Sequence, residues 1–175
     1  MMDHMQSHGH GRRLKMRTIQ KIMACVDLSD YSVLTLHYAV ALARGFMTDM
    51  VILSVVNQRD IDAVKIASQY NPGIINVEQY TKEATEERYR QIYALLKEKF
   101  ASDMNRMTIL VQVGVPFVTI LEVAASEKVD VLVLGNKGRG NILGALLGST
   151  AEKVFRHSPV PVLSVRDSAR FGRQG

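Results

Sequence analysis

Five short runs of consecutive apolar residues punctuate the chain, and the segments between them carry apolar residues at helical spacing. Ile22-Met23-Ala24-Cys25-Val26 is too short for a helix and polar on both flanks, so it reads as a buried first strand. Ser29 can cap the helix that follows, with Asp30 favourable in its first turn; the helix runs to about Arg44 and stops at Gly45. Met50 to Val56 is rich in β-branched residues and reads as the second strand. Residues 57–79 look irregular, with a turn at Asn71-Pro72-Gly73.

The pattern then turns helical over residues 81–101. Tyr89, Ile92, Tyr93, Leu96 and Phe100 fall on one predicted apolar stripe, read as core packing, with acids early and lysines late as the helix dipole prefers. Met107 to Val113 is the third strand and Gly114-Val115-Pro116 a connector. Phe117 to Lys128 is a helix, Val129 to Leu134 the fourth strand, Ser149 to His157 the last helix, and Pro161 to Val165 the fifth strand. Continuous apolar strands alternating with helices predict an α/β fold: a doubly wound, five-stranded parallel sheet, Rossmann-like, with helices on both faces.

Composition narrows the function. A chain of 175 residues with 47% apolar content can bury one core without staples. Its single cysteine, Cys25, cannot form an internal disulfide and reads as an inert core thiol. No apolar run approaches a membrane span, and the start of the chain lacks the apolar stretch of a secretory signal, so the expected compartment is cytoplasmic, with no membrane.

The net charge of +5 first suggests nucleic acid, but its distribution argues against it. Arg12, Arg13, Lys15 and Arg17 stand in a basic leader, residues 1–17, expected to be disordered; Arg166, Arg170 and Arg173 stand at the other end, with residues 167–175 as a basic tail. The body between, 18–166, is close to neutral. With aromatics at 6% and no Trp, a stacking platform for bases has little support.

The most specific chemistry follows the fourth strand. Leu134 leads into Gly135-Asn136-Lys137-Gly138-Arg139-Gly140, and the segment ends at Gly148-Ser149-Thr150, where a helix begins. Glycines let the backbone approach an anion, and helix N-terminal N–H groups point at phosphate oxygens. No GxxxxGK[ST] string occurs, which excludes a standard P-loop. Gly138 to Gly144 matches a relaxed dinucleotide pattern, but too little chain follows it for that fold. The longer string Gly135-x2-Gly138-x9-Gly148-Ser149 is more constrained.

That string, with Asp27-Leu28-Ser29-Asp30-Tyr31-Ser32, Gly114-x-Pro116 and the stretch from Gly148 to Leu163, resembles the universal stress protein family, in its ATP-binding branch, over residues 19–166. The resemblance implies strand order 3-2-1-4-5, which puts the carboxyl ends of strands one and four beside the crevice where such sheets bind ligands. It also implies ATP, or AMP or ADP, as ligand, with Mg²⁺ held mainly by the phosphates. Asp27 is implied to contact the nucleoside, with Val26 at the pocket wall and Val55 at the base. Gly135, Gly138, Gly148, Ser149 and Thr150 are the implied ribose and phosphate contacts, the N–H groups of 149 and 150 foremost; Leu134 and Asn136 are expected in the same site, where Lys137 and Arg139 could supply positive charge. Asn136 departs from the Ser or Thr common in the family. A homodimer through strand five (Val160, Val162, Leu163, Val165) is implied as well.

Bland readings stand beside these. Asp27 also suits a helix cap, Lys137 and Arg139 suit solvated loop cations, and His157 suits the helix dipole. Asp60 and Asp62 read as solvated residues on a polar connector. No paired carboxylates, catalytic triad or zinc spacing appears, so the expectation is a nucleotide-dependent stress-response regulator, acting on an unknown downstream protein, without rapid turnover. The alternatives are a slow ATPase or autokinase of the same fold, or a nucleotide-free interaction module.

Overall fold

A computed structural model describes residues 18–70, 76–136 and 148–166. Five strands form one parallel sheet in the order β3-β2-β1-β4-β5: β1 (Lys21–Cys25), β2 (Asp49–Asn57), β3 (Met107–Gly114), β4 (Val131–Gly135) and β5 (Val162–Val165). This is the expected doubly wound sheet in its expected order. Between the strands lie α1 (Asp30–Phe46), α2 (Gln58–Tyr70), α3 (Val77–Lys99), α4 (Pro116–Ser126) and α5 (Ser149–His157), with a 3-10 segment at Ala101–Arg106.

Both faces of the sheet are buried at its centre, which is why β1, β2 and β4 carry runs of apolar residues there. Ile22, Ala24, Met50, Ile52 and Val133 point to one face and meet Leu36, Ala39 and Val40 of α1 and Ile92 and Leu96 of α3. Met23, Val51, Leu53, Leu132 and Leu134 point to the other and meet Ile120 and Val123 of α4 and Val154 of α5. Each such Val, Leu, Ile or Met side chain, fully buried, contributes about 1.5–3 kcal/mol. The register is locked at the amino end of β1, where Asp130 Oδ2 accepts the N–H groups of Gln20 and Lys21 at 2.8 and 3.1 Å.

Three expectations need correction. Residues 58–70 form α2 rather than an irregular connector. Only Ile61 of this helix is buried, so it lacks an apolar stripe; Asp60 in its first turn and a Gln58–Asp62 hydrogen bond of 2.9 Å support it instead. The next helix begins at Val77, not 81, because Asn76 Oδ1 accepts the Gln79 N–H at 3.0 Å. The first helix passes through Gly45, and Met47, with φ 54°, takes the left-handed cap. The turn at Asn71-Pro72-Gly73 lies outside the described residues.

The stripe on α3 is narrower than the spacing suggests. Ile92, Leu96 and Phe100 are buried, whereas Tyr89 and Tyr93 are exposed and stack on each other at 6.4 Å. Packing over an edge strand buries a single i, i+4, i+8 line, which leaves the flanking tyrosines in water.

Gly114 ends β3 where α4 folds back, and a Cβ there would collide with Thr119 Oγ1. Gly114→Ala is therefore expected to lower stability by about 1–3 kcal/mol in urea unfolding, and adding Thr119→Ala should recover part of the loss. An unchanged unfolding midpoint for Gly114→Ala would contradict the close approach.

Candidate functional site

A cleft of about 420 Å³ opens at the carboxyl ends of β1, β2 and β4, within the ordinary range of small-molecule sites, roughly 300–1,000 Å³. Cys25, Val26 and Asp27 line it from β1, Leu53, Val55 and Asn57 from β2, and Leu134 and Gly135 from β4. Tyr31, Ser32 and Thr35 of α1 form one wall; Pro116 and Ile120 of α4 form the other. Gly148 to Ala151 bring the start of α5 to one end, and Asp60 and Arg88 lie among the lining from α2 and α3.

The turn after β1 is tightly specified. Leu28 has φ 63°, a left-handed conformation that costs a branched residue about 1–3 kcal/mol. The neighbouring bonds hold it there. Asp27 Oδ1 accepts the Ser29 N–H at 3.0 Å and the Ser32 hydroxyl at 3.2 Å, and Ser32 Oγ accepts the Asp27 N–H at 3.3 Å. Leu28 itself packs on the core of that sheet face. Ser29 occupies the N-cap position, but its side chain makes no capping bond; Asp27 instead holds the turn ahead of the helix by accepting the Ser29 N–H. The helix-cap reading of Asp27 is not met, since Ser29 holds the N-cap position without a side-chain cap bond, and Asp27 lines the cleft.

The start of α5 supplies the other pole. The first N–H groups of a helix have no intrahelical acceptor and carry the positive end of its dipole. Here those groups belong to Ser149, Thr150 and Ala151, all lining the cleft. Gly148 is different, because its N–H donates to the Asn136 carbonyl at 2.6 Å. Asn136 N–H in turn donates to the Val165 carbonyl at 2.8 Å. These two bonds tie the end of β4 to the start of α5 and to β5.

Of the residues singled out in the sequence, the fold brings Val26, Asp27, Val55, Leu134, Gly135, Gly148, Ser149 and Thr150 to one cleft. Asn136 is 1% exposed and sits behind it, not in its lining. Lys137, Gly138 and Arg139 lie outside the described residues. Asp60, read as a solvated connector residue, is exposed but lines the cleft from the first turn of α2. Sequence reasoning missed Arg88, Tyr31, Asn57 and Ile120 as lining residues. For Arg88 a faint signal existed, since it stands four residues before Ile92 on the buried line of α3.

The described charges in the lining are two carboxylates, Asp27 and Asp60, and one guanidinium, Arg88. No group of three or more His, Cys, Asp or Glu among the described residues is placed to hold a metal ion, and no described helix is long and apolar enough to cross a membrane.

A model of the universal stress protein family matches residues 18–166. The universal stress protein MJ0577 of Methanocaldococcus jannaschii is 26% identical over 153 residues, covering 84% of this chain and 94% of the relative. Universal stress protein YxiE of Bacillus subtilis is 29% identical over 150 residues, covering 83% and 98%. Among solved structures, MJ0577 superposes with a TM-score of 0.69 at 25% identity, covering 86% of this chain and 98% of that one. A universal stress protein in complex with cAMP superposes with a TM-score of 0.56, also at 25% identity, covering 86% and 98%.

Cys25 is half-buried against the apolar cluster of the α4 face, and burial pushes its thiol from 9.0 up to about 12. Below pH 9 the folded and unfolded chains both keep this proton, so it adds no pH dependence. Between about 9 and about 12 the unfolded chain gives up a proton that the folded chain retains, so stability falls as pH rises. The expected contribution approaches ~1.4 kcal/mol per pH unit. Urea unfolding at pH 8 and pH 10.5 should show a steeper loss for the wild type than for Cys25→Ala; parallel losses would place the thiol in water.

Proposed function

We propose that this chain, which belongs to the universal stress protein family, binds an adenine nucleotide in the cleft between β1 and β4 and acts as a nucleotide-dependent regulator in a stress response. The observation that carries this reading is the meeting of two poles in one cleft. Ser149, Thr150 and Ala151, whose N–H groups have no intrahelical acceptor, line the same cleft as Asp27 and the apolar Val26 and Val55. A family member solved with cAMP supports the adenine nucleotide as ligand class.

In this reading the base and ribose lie over Val26, Asp27 and Val55. The phosphates reach the N–H groups of Ser149 and Thr150 and their hydroxyls, where the helix dipole favours negative charge. ATP uses the full length of the site, and AMP or ADP part of it. Mg²⁺ fits as a companion of the phosphates rather than a resident of the protein, because Asp27 and Asp60 are the carboxylates of the described lining. The chain's own part is to bind and orient. Phosphoryl transfer needs a positioned metal and a group that orients the attacker, and the proposal assigns neither role.

We extend the reading to a homodimer through β5. This strand pairs with β4 on one side and is the last strand of the sheet, and Val162 and Leu163 are only half-buried. An open apolar edge is a template for pairing with another chain, and a two-fold mate supplies the same strand.

Mass spectrometry of ligand released from freshly purified protein should find an adenine nucleotide. Gly148→Val should abolish ATP binding by equilibrium dialysis with the fold intact, because φ −69° and ψ 150° at this position suit any residue. Retained affinity would move the phosphate site elsewhere, and turnover above about 1 per second would make the protein an ordinary enzyme. Light scattering should give twice the 19.5 kDa chain mass; a monomer at the same concentration would refute the β5 interface.

A further inference from the structure

Arg88 reaches the cleft from α3, far along the chain from the turn it touches. Its Nη1 donates to the main-chain carbonyl of Asp27 at 3.2 Å and to Ser54 Oγ at 3.4 Å. Ser54 is 1% exposed, and Ile92 and Leu96, the next members of the same helix line, are fully buried. The base of the arginine is therefore fixed by packing, and its head spans the carboxyl ends of β1 and β2.

The carbonyl it holds has a particular place. It belongs to the peptide plane between Asp27 and Leu28, and the orientation of that plane sets the φ of 63° at Leu28. A leucine left to itself abandons this conformation. Asp27 Oδ1 restrains the turn from the Ser29 side, and Arg88 restrains it from the sheet side. The Asp27 carboxylate points where these two restraints leave it.

We propose that Arg88 is a positioning residue for nucleoside binding: by holding the Asp27–Leu28 peptide plane through the Asp27 carbonyl, with Ser54 as its second anchor, it keeps the left-handed turn that presents Asp27 to the cleft. This rests on the adenine-nucleotide reading of the site. Both bonds leave one nitrogen, Nη1, held at the end of a rigid guanidinium plane; a lysine ammonium offers donors without that plane, on a shorter and freely rotating stem.

The test compares wild type, Arg88→Met and Arg88→Lys by amide exchange and by calorimetric titration with adenosine and with inorganic tripolyphosphate. Met keeps the aliphatic stem against α3, so the fold should survive. Arg88→Met should speed exchange across residues 26–32 and weaken adenosine about tenfold, the scale of one modest hydrogen bond. The loss for adenosine should exceed that for tripolyphosphate by fivefold or more, because tripolyphosphate engages only the α5 end. Arg88→Lys should recover only part of the loss. In a Leu28→Gly background, where positive φ carries no strain, Arg88→Met should cost less than threefold. Unchanged exchange at 26–32, equal losses for the two ligands, or an undiminished tenfold loss beside Gly at position 28 would each overturn the assignment. Wild-type protein that binds no adenosine would overturn the proposed function instead, and the exchange measurement would still decide the role of Arg88.

Discussion

The constraint on which the structure turns is the divergence of the chain after β1 and β4. These strands lie side by side at the centre of a parallel sheet. The helix leaving β1 packs on one face, with α3, and the helix leaving β4 packs on the other, with α4. Two connections that depart in opposite directions from adjacent strand ends cannot close over the gap between them. The cleft is thus a consequence of topology, and no side chain has to be sacrificed from the core to create it. The packing that makes the sheet stable also fixes the walls of the site.

What was legible in the sequence follows from that logic. Strands buried on both faces have to be largely apolar, so Ile22–Val26, Met50–Val56 and Val129–Leu134 stood out as runs despite Ser54 and Asp130. Helix α5 was marked at its start by Gly148 and Ser149 and ran as expected to His157. The site residues legible in advance were those next to strand ends or within the glycine segment, where the motif is local. Helix α2 was illegible because it buries only Ile61, and a helix without an apolar stripe looks like a connector. Arg88 was illegible for another reason: its partners, Asp27 and Ser54, come near only after the sheet has formed. Asn136 shows the converse. Its place in the motif suggested a ligand contact, while the fold uses its backbone to join β4 to α5 and β5.

The first turn also shows how two functions share one residue. Asp27 holds the turn that leads into α1 through its Oδ1 and lines the cleft as well. These roles are compatible because the turn's bonds fix the carboxylate's orientation. A side chain already held by Ser29 and Ser32 loses little further freedom when a ligand arrives. The strain at Leu28 belongs to the same economy. A branched residue at positive φ is tolerated only where several bonds over-determine it, and such positions concentrate where a chain must present a group in one direction.

In the proposed reading, charge bears on which way round an anionic ligand lies. Among the described lining residues the carboxylates stand at Asp27, after β1, and Asp60, at the first turn of α2. The α5 N-terminus stands beyond β4, on the other side of the sheet's centre line. A phosphate group near the carboxylates meets like charge, and near α5 it meets the positive end of a helix dipole and N–H groups without intrahelical acceptors. Arg88, in the middle of α3, places its positive charge beside Asp27 through the bonds to the Asp27 carbonyl and the Ser54 hydroxyl, and so offsets part of that negative charge. In the proposed reading, a ligand with a neutral, flat end and a charged tail lies with its tail toward Ser149 and Thr150, where the start of α5 favours negative charge. Val26 and Val55, which line the same cleft, are the proposed contacts of the uncharged end.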